Sequence, residues 1–160
     1  IRLSLVGSEM CIRDRSIIDD SIPDILAGGC ITTSNTSNTI STSDTKSLKL
    51  IAQTLKSVID KYSPEKIIFE DSAGSKSNRA SLALGYVKGL CVALSVSHGI
   101  EFETFKAKQT KKKITDSSSA KKEEILQEIR KFLPSFDQIC ANLPKFKVYA
   151  VSDSAAVFFN

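Results

Sequence analysis

The segment that most narrows the folds open to this chain is Lys66-Ile-Ile-Phe-Glu70. Three consecutive large apolar residues leave no polar face, so the run reads as a short strand of the buried type, ending in a carboxylate. Pro64 stands just before it and stops a helix in which Leu48, Ile51, Leu55, Val58, Ile59 and Tyr62 recur at three- and four-residue spacing. After it, Ala80 to Ser97 is apolar nearly all round, which predicts a central, buried helix ended by Gly99. Glu101 to Phe105 supplies a further strand. Strands that alternate with helices in this way belong to a mixed α/β domain with helices packed on a sheet.

The flanks extend the pattern. Ile17 and Ile18 close a strand, Asp19 to Pro23 forms a turn, and Ile25 to Thr32 returns as a second strand. Ser34 to Asp44 is almost entirely Ser, Thr and Asn, a loop, and Asp44 or Thr45 caps the helix after it. Asp71 to Arg79 is a polar connection. Lys106 to Ala120 is a basic, Ser-rich stretch, and Ser118 or Ser119 opens a helix whose apolar positions are Ile125, Leu126, Ile129, Phe132 and Leu133. Pro134 to Phe146 reads as irregular, and Val148 to Val151 leads into a last helix opening near Ser152. The expected order is hairpin, helix, strand, helix, strand, helix, helix.

Size and composition exclude several classes. A chain of 160 residues fits one domain. No apolar run approaches the ~20 residues of a membrane helix. Arg2 and Glu9 break the leading apolar segment, which makes a poor signal peptide, so the expectation is a cytoplasmic chain with no membrane partner. Cys11, Cys30, Cys91 and Cys140 lie far apart without a CxxC pair, which removes zinc-ribbon and dithiol chemistry. Cys30 and Cys91 sit in apolar runs and are expected in the core. His98, the single histidine, ends a helix before Gly99, a C-terminal capping position rather than a catalytic one.

Two carboxylates stand out by position. Glu70 lies where a buried strand leaves the core, at the rim where open α/β sheets build their sites. Asp153 sits in Val-Ser-Asp-Ser-Ala-Ala-Val at the entrance of the last helix. Singly, each has a plain explanation: a solvated strand end, and an acid favouring a helix dipole. Between them, Lys106 to Lys131 holds nine Lys/Arg (Lys106, Lys108, Lys111, Lys112, Lys113, Lys121, Lys122, Arg130, Lys131) against four acids (Asp116, Glu123, Glu124, Glu128). Alone, such a run is a solvated face; between two carboxylates it suits a phosphate backbone. Acids from separate elements plus a basic surface are what a two-metal nuclease needs.

Ala27-Gly-Gly-Cys-Ile-Thr-Thr, Leu48-Lys-Leu-Ile, Tyr62 to Glu70, Ser81-Leu-Ala-Leu-Gly-Tyr-Val-Lys-Gly89, Lys111-Lys-Lys, Ser119-Ala-Lys-Lys-Glu-Glu and Ser152-Asp-Ser-Ala-Ala resemble, in order and spacing, consecutive blocks of the RuvC family of crossover junction endodeoxyribonucleases. The resemblance covers roughly residues 17 to 158. It implies an α/β, ribonuclease-H-like fold with a mixed central sheet flanked by helices, and two Mg²⁺ ions as cofactor. It further implies four-way (Holliday) junction DNA as substrate, a homodimer, and branch-migration proteins as partners. By the same resemblance Glu70 and Asp153 fall on catalytic, metal-binding acids, and Lys111 and Lys122 on basic positions near DNA, with Lys112 and Lys113 beside them.

The chain also departs from that family. Its first fifteen residues, Ile1 to Arg15, resemble translated sequencing-adapter sequence, which leaves residues 16–160 as a single domain lacking its native first strand. The family's Gly-Ile-Asp-Pro-Gly segment has no counterpart; its place falls near Gly7, with Glu9 the nearest acid. Three residues before Asp153, where the family carries another Asp or His, stands Ala150, and Ala73 stands where it carries a DNA-stacking aromatic. The expectation is therefore a Mg-dependent junction endonuclease that is impaired as it stands. Two rivals stay open: a catalytically inactive junction-binding protein, and a nuclease of the same fold acting on RNA-containing substrates.

Overall fold

Alternation along the buried strand settles how the layers stack. In the computed structural model, which describes residues 2–8, 11–19, 24–29, 31, 40–71 and 78–159, this strand (β4, Lys66–Asp71) sends Ile67 and Phe69 to one face and Ile68 to the other. Ile67 and Phe69 pack with Ile51, Leu55, Val58 and Ile59 of α1 (Ile40–Tyr62), Val87 and Cys91 of α2 (Asn78–His98), and Leu3. Ile68 meets Val157 of α6 (Lys145–Val157). Beside it a second core joins α6 to Ile114 of α3 (Ala107–Thr115), to Ile125, Leu126 and Ile129 of α4 (Lys122–Phe132), and to Phe136 and Cys140 of α5 (Phe136–Cys140). The sheet is thus covered on both faces, as a strand with no polar side requires.

The sheet has five strands in the order β3-β2-β1-β4-β5. Arg2–Ser8 (β1), Cys11–Asp19 (β2) and Asp24–Gly29 (β3) run as an antiparallel meander, and β4 and Glu101–Lys106 (β5) lie parallel to β1. Leu3, fully buried, pairs in register with Ile67, and Val6 with Glu70. The leading segment that resembles adapter sequence therefore occupies the middle of the sheet as β1.

Two glycines matter for backbone reasons. A Cβ at Gly28 would come 2.7 Å from Val151 Cγ1, so only glycine lets α6 lie this close to β3. Gly99 takes φ +65°, and Ile100 donates its N–H to the Ser95 carbonyl at 2.8 Å, closing α2 in the left-handed turn expected of it.

Several expectations need correction. Residues 40–44 belong to α1 and not to a loop. The basic Ser-rich stretch contains α3, and its successor helix opens at Lys122, after the Lys121 N–H has donated to the Glu124 carboxylate at 2.7 Å. The region expected to be irregular holds α5 and the first residues of α6. Asp24 secures α5, accepting from the Ser135 N–H at 3.0 Å and the Ser135 hydroxyl at 2.6 Å, a contact across 111 residues of sequence. The returning strand ends at Gly29; Ile31 is buried, while Cys30 and Thr32 lie outside the described residues, as does Ala73. Cys91 is buried as expected.

The largest correction concerns α2. Val87, Cys91 and Ser95 face the core, but Leu82, Tyr86, Val92 and Val96 are exposed, Val96 at 78 %. Its outer side has no second layer over it among the described residues, however apolar those side chains are.

Candidate active site

Glu70 is the last residue but one of β4, two after Ile68, so alternation puts it on the face that α6 covers. Asp153 lies four residues before Val157, which touches Ile68; positions four apart share a helical face. The two carboxylates therefore occupy the same side of the sheet. Asp153 is the ninth of the thirteen residues of α6, far from its first turn, so the helix dipole does not account for it. That corrects its expected place at the helix entrance.

Electrostatics tie the basic residues to this acid. Burial pushes the Asp153 carboxyl above the usual aspartate range, while the positive charges of Lys122 and Lys111 pull in the opposite direction without prevailing. Lys111 lies on the partly buried side of α3, beside the inward-facing Thr110 and Ile114, and donates from Nζ to the Ala120 carbonyl at 3.2 Å. That bond fastens α3 to the approach of α4, whose first residue is Lys122. Lys112 and Lys113 are exposed on the last turn of α3. Lys111, Lys122 and Asp153 are thus brought together from three helices, and Lys112 and Lys113 extend the basic surface outward.

One neighbour escaped the sequence reading. Asp71, next to Glu70, pairs with Lys88 of α2 at 2.9 Å, which anchors the end of β4. Neither residue carried a local signal, because the partners come from different elements on the opposite side of the strand.

The donor set does not fit a two-ion centre. Two hard cations held close together need several oxygen ligands. The register partner of Glu70 is Val6, and Arg-Leu-Ser-Leu-Val-Gly-Ser across β1 contains no carboxylate. Ala150, one turn before Asp153, offers only a methyl group. Among the described residues no group of three or more His, Cys, Asp or Glu side chains is placed to hold a metal ion. Glu9 lies outside them.

An antiparallel three-strand meander extended by two parallel strands, with helices on both faces, defines an α/β domain of the ribonuclease-H-like class. Among solved structures, Thermus thermophilus RuvC in complex with a Holliday junction substrate superposes with a TM-score of 0.76 at 15 % identity, covering 99 % of this chain and 92 % of that one. The yeast mitochondrial Holliday junction resolvase follows at 0.68 and 11 %, covering 77 % of its own chain. Residues 17–144 match the model of the family described as crossover junction endodeoxyribonuclease RuvC, and the chain belongs to that family. Relatives include the RuvC proteins of Rickettsia typhi, 35 % identical over 92 residues (58 % of this chain, 59 % of that), and of Wolbachia pipientis wMel, 30 % identical over 134 residues (84 % and 75 %). The match to the first of these, as to the Prosthecochloris aestuarii protein at 55 %, spans less than two thirds of the relative's length. The family match leaves residues 1–16 and Asp153 outside it.

Proposed function

We propose that this chain is a structure-specific DNA endonuclease domain for four-way (Holliday) junctions in recombination and repair, acting in the cytoplasm, with its own hydrolytic step impaired. The observation that carries this is the gathering of Glu70 and Asp153 on one face of the sheet, with Lys111 and Lys122 beside Asp153. Glu70 and Asp153 are the remaining metal-binding, catalytic acids for Mg²⁺, which in a complete site activates water and neutralises charge building on the cleaved phosphodiester. Lys111 and Lys122 hold the DNA backbone, with Lys112 and Lys113 adding to the same basic surface; such contacts read shape more than sequence. Residues 1–15 are read as a foreign replacement of the native first strand, and a family match that starts at residue 17 supports this.

The working unit is a homodimer, which suits a junction that is itself near two-fold symmetric. Its support is the outer face of α2: Leu82, Tyr86, Val92 and Val96 are exposed, and Gly85 and Gly89 leave open space where side chains would stand. Branch-migration proteins are the expected further partners.

The test is repair. Replacing residues 1–15 with a strand bearing an aspartate at the register of Glu70, together with Ala150→Asp, is expected to give Mg²⁺-dependent nicking of a four-way junction. The parent chain is expected to bind the junction without cutting it. A repaired chain that still binds but never nicks would move the assignment to the second reading, an inactive junction-binding protein. Ala150 favours that reading, because this gap lies within α6 and outside the foreign segment.

A further inference from the structure

The carboxylate face has too few oxygen ligands for a pair of divalent ions, with Val6 in register with Glu70 and Ala150 one turn before Asp153. It does have cations of its own. Among the described residues Asp153 makes no hydrogen bond and no direct ion pair, and the charges that act on it are those of Lys122 and Lys111. Tyr149 stands one helical turn before Asp153, and its hydroxyl donates to Glu123 at 3.0 Å, so the first residues of α4 lie beside this stretch of α6. Lys122 adjoins Glu123 and stands three and four residues before Ile125 and Leu126, which are buried in the core shared with α6. That phase turns Lys122 toward α6 while its side chain stays exposed. Lys111 comes from α3, with one of its three ammonium protons committed to the Ala120 carbonyl at 3.2 Å.

The charges decide what such an arrangement binds. A divalent ion entering beside Asp153 would give up water for two carboxylates at most and would meet two like charges. A phosphodiester meets the reverse, two ammonium donors that attract it and one carboxylate that repels it. Among the described residues Lys122 makes no hydrogen bond or direct ion pair, so its three donors are open to that anion.

We propose that, in the chain as it stands, Lys111 and Lys122 seat a DNA phosphate without a divalent ion, and that Asp153 is the anion which this phosphate displaces from their field. This rests on the DNA-junction reading above. It adds that divalent ions do not assist DNA binding at this face, and that Asp153 restrains the affinity instead of supporting it. The ammonium groups neutralise phosphate charge as metal ions would in a complete site, but they activate no water, so binding is separated from cleavage.

Asp153→Asn keeps the shape of the side chain and removes its charge. The full chain carrying it is expected to bind a four-way junction about tenfold more tightly than the parent, equally with Mg²⁺ and with EDTA at one ionic strength. The parent is expected to bind no better with Mg²⁺ than with EDTA, and to give no saturable heat when titrated with Mn²⁺ alone. Lys122→Ala should weaken junction binding about tenfold and lower the salt slope by about one, and Lys122→Arg should restore both. A saturable Mn²⁺ site that is lost in Asp153→Asn, or an affinity that Mg²⁺ raises in the parent but not in Asp153→Asn, overturns this proposal and leaves the junction reading standing. So does an Asp153→Asn chain that keeps its thermal transition and binds no tighter, or a Lys122→Ala chain that binds as the parent does. A parent chain that binds no junction DNA under either condition overturns the proposal together with the reading on which it rests.

Discussion

Helices α2 and α6 are alike in sequence and opposite in fate. Both mix small residues with aliphatic ones and show little difference between their faces. Yet Val151, Ser152, Ser154, Ala155, Ala156 and Val157 of α6 are buried, whereas α2 leaves Leu82, Tyr86, Val92 and Val96 in water. The difference is one of layers. Helix α6 lies between the sheet and a second tier built from α3, α4 and α5, and its close seat is set by Gly28. Helix α2 lies on the opposite face, where no tier among the described residues stands above it. An apolar helix face without a cover is a statement about assembly rather than about the core.

The sharpest way to break this comparison is to place the same charge on each helix. Ala155→Glu introduces a carboxylate where there is no space and no partner, at a cost of about 4 kcal/mol or more, a large part of a domain's stability. Loss of the cooperative thermal transition and of helical circular dichroism is the expected result, and a folded variant would show that α6 is not the central element described. Tyr86→Glu on the outer face of α2 should leave the fold intact and weaken self-association about tenfold or more, measured by sedimentation. If the parent is a monomer throughout, or the variant dimerises as well as the parent, the outer face of α2 is not the dimer surface.

A smaller effect distinguishes the buried helix from within. Because burial raises the Asp153 carboxyl, the folded chain holds this proton more firmly than the unfolded chain does. Its contribution is therefore most favourable below the ordinary aspartate range. It declines as pH rises from that range to the raised value, and stays reduced at neutral pH, partly offset by Lys122 and Lys111. Asp153→Asn should raise the thermal midpoint at pH 7 by about 2 degrees and leave it unchanged near pH 3. Equal shifts at both pH values would place the effect in packing instead of in the charge.

Local pattern carried a good part of the fold. The β-branched and aromatic run at residues 66–70, the stop at Pro64 and the left-handed turn at Gly99 are each decided by neighbours within a few residues, and each stands as read. Glu70 was legible as an acid at the close of a buried strand, which runs one residue further to Asp71. Asp153 was misplaced at a helix entrance because Pro144, followed by Lys-Phe-Lys, is a helix start without a side-chain cap to announce it. Helix α5 was invisible for a related reason: what secures its start is Asp24, far away in the chain.

By itself, the sequence determined the buried strand at residues 66–70, the helices on either side of it and the family to which the pattern belongs. Those are local properties, set by backbone sterics, periodicity and residue chemistry. Only the tertiary structure decided that Glu70 and Asp153 share a face with Lys111 and Lys122 beside Asp153, that Val6 pairs in register with Glu70, and that α2 is open while α6 is closed. Such facts depend on which layer lies above which, and an apolar side chain is attracted to any cover without specifying whether its own chain will provide one.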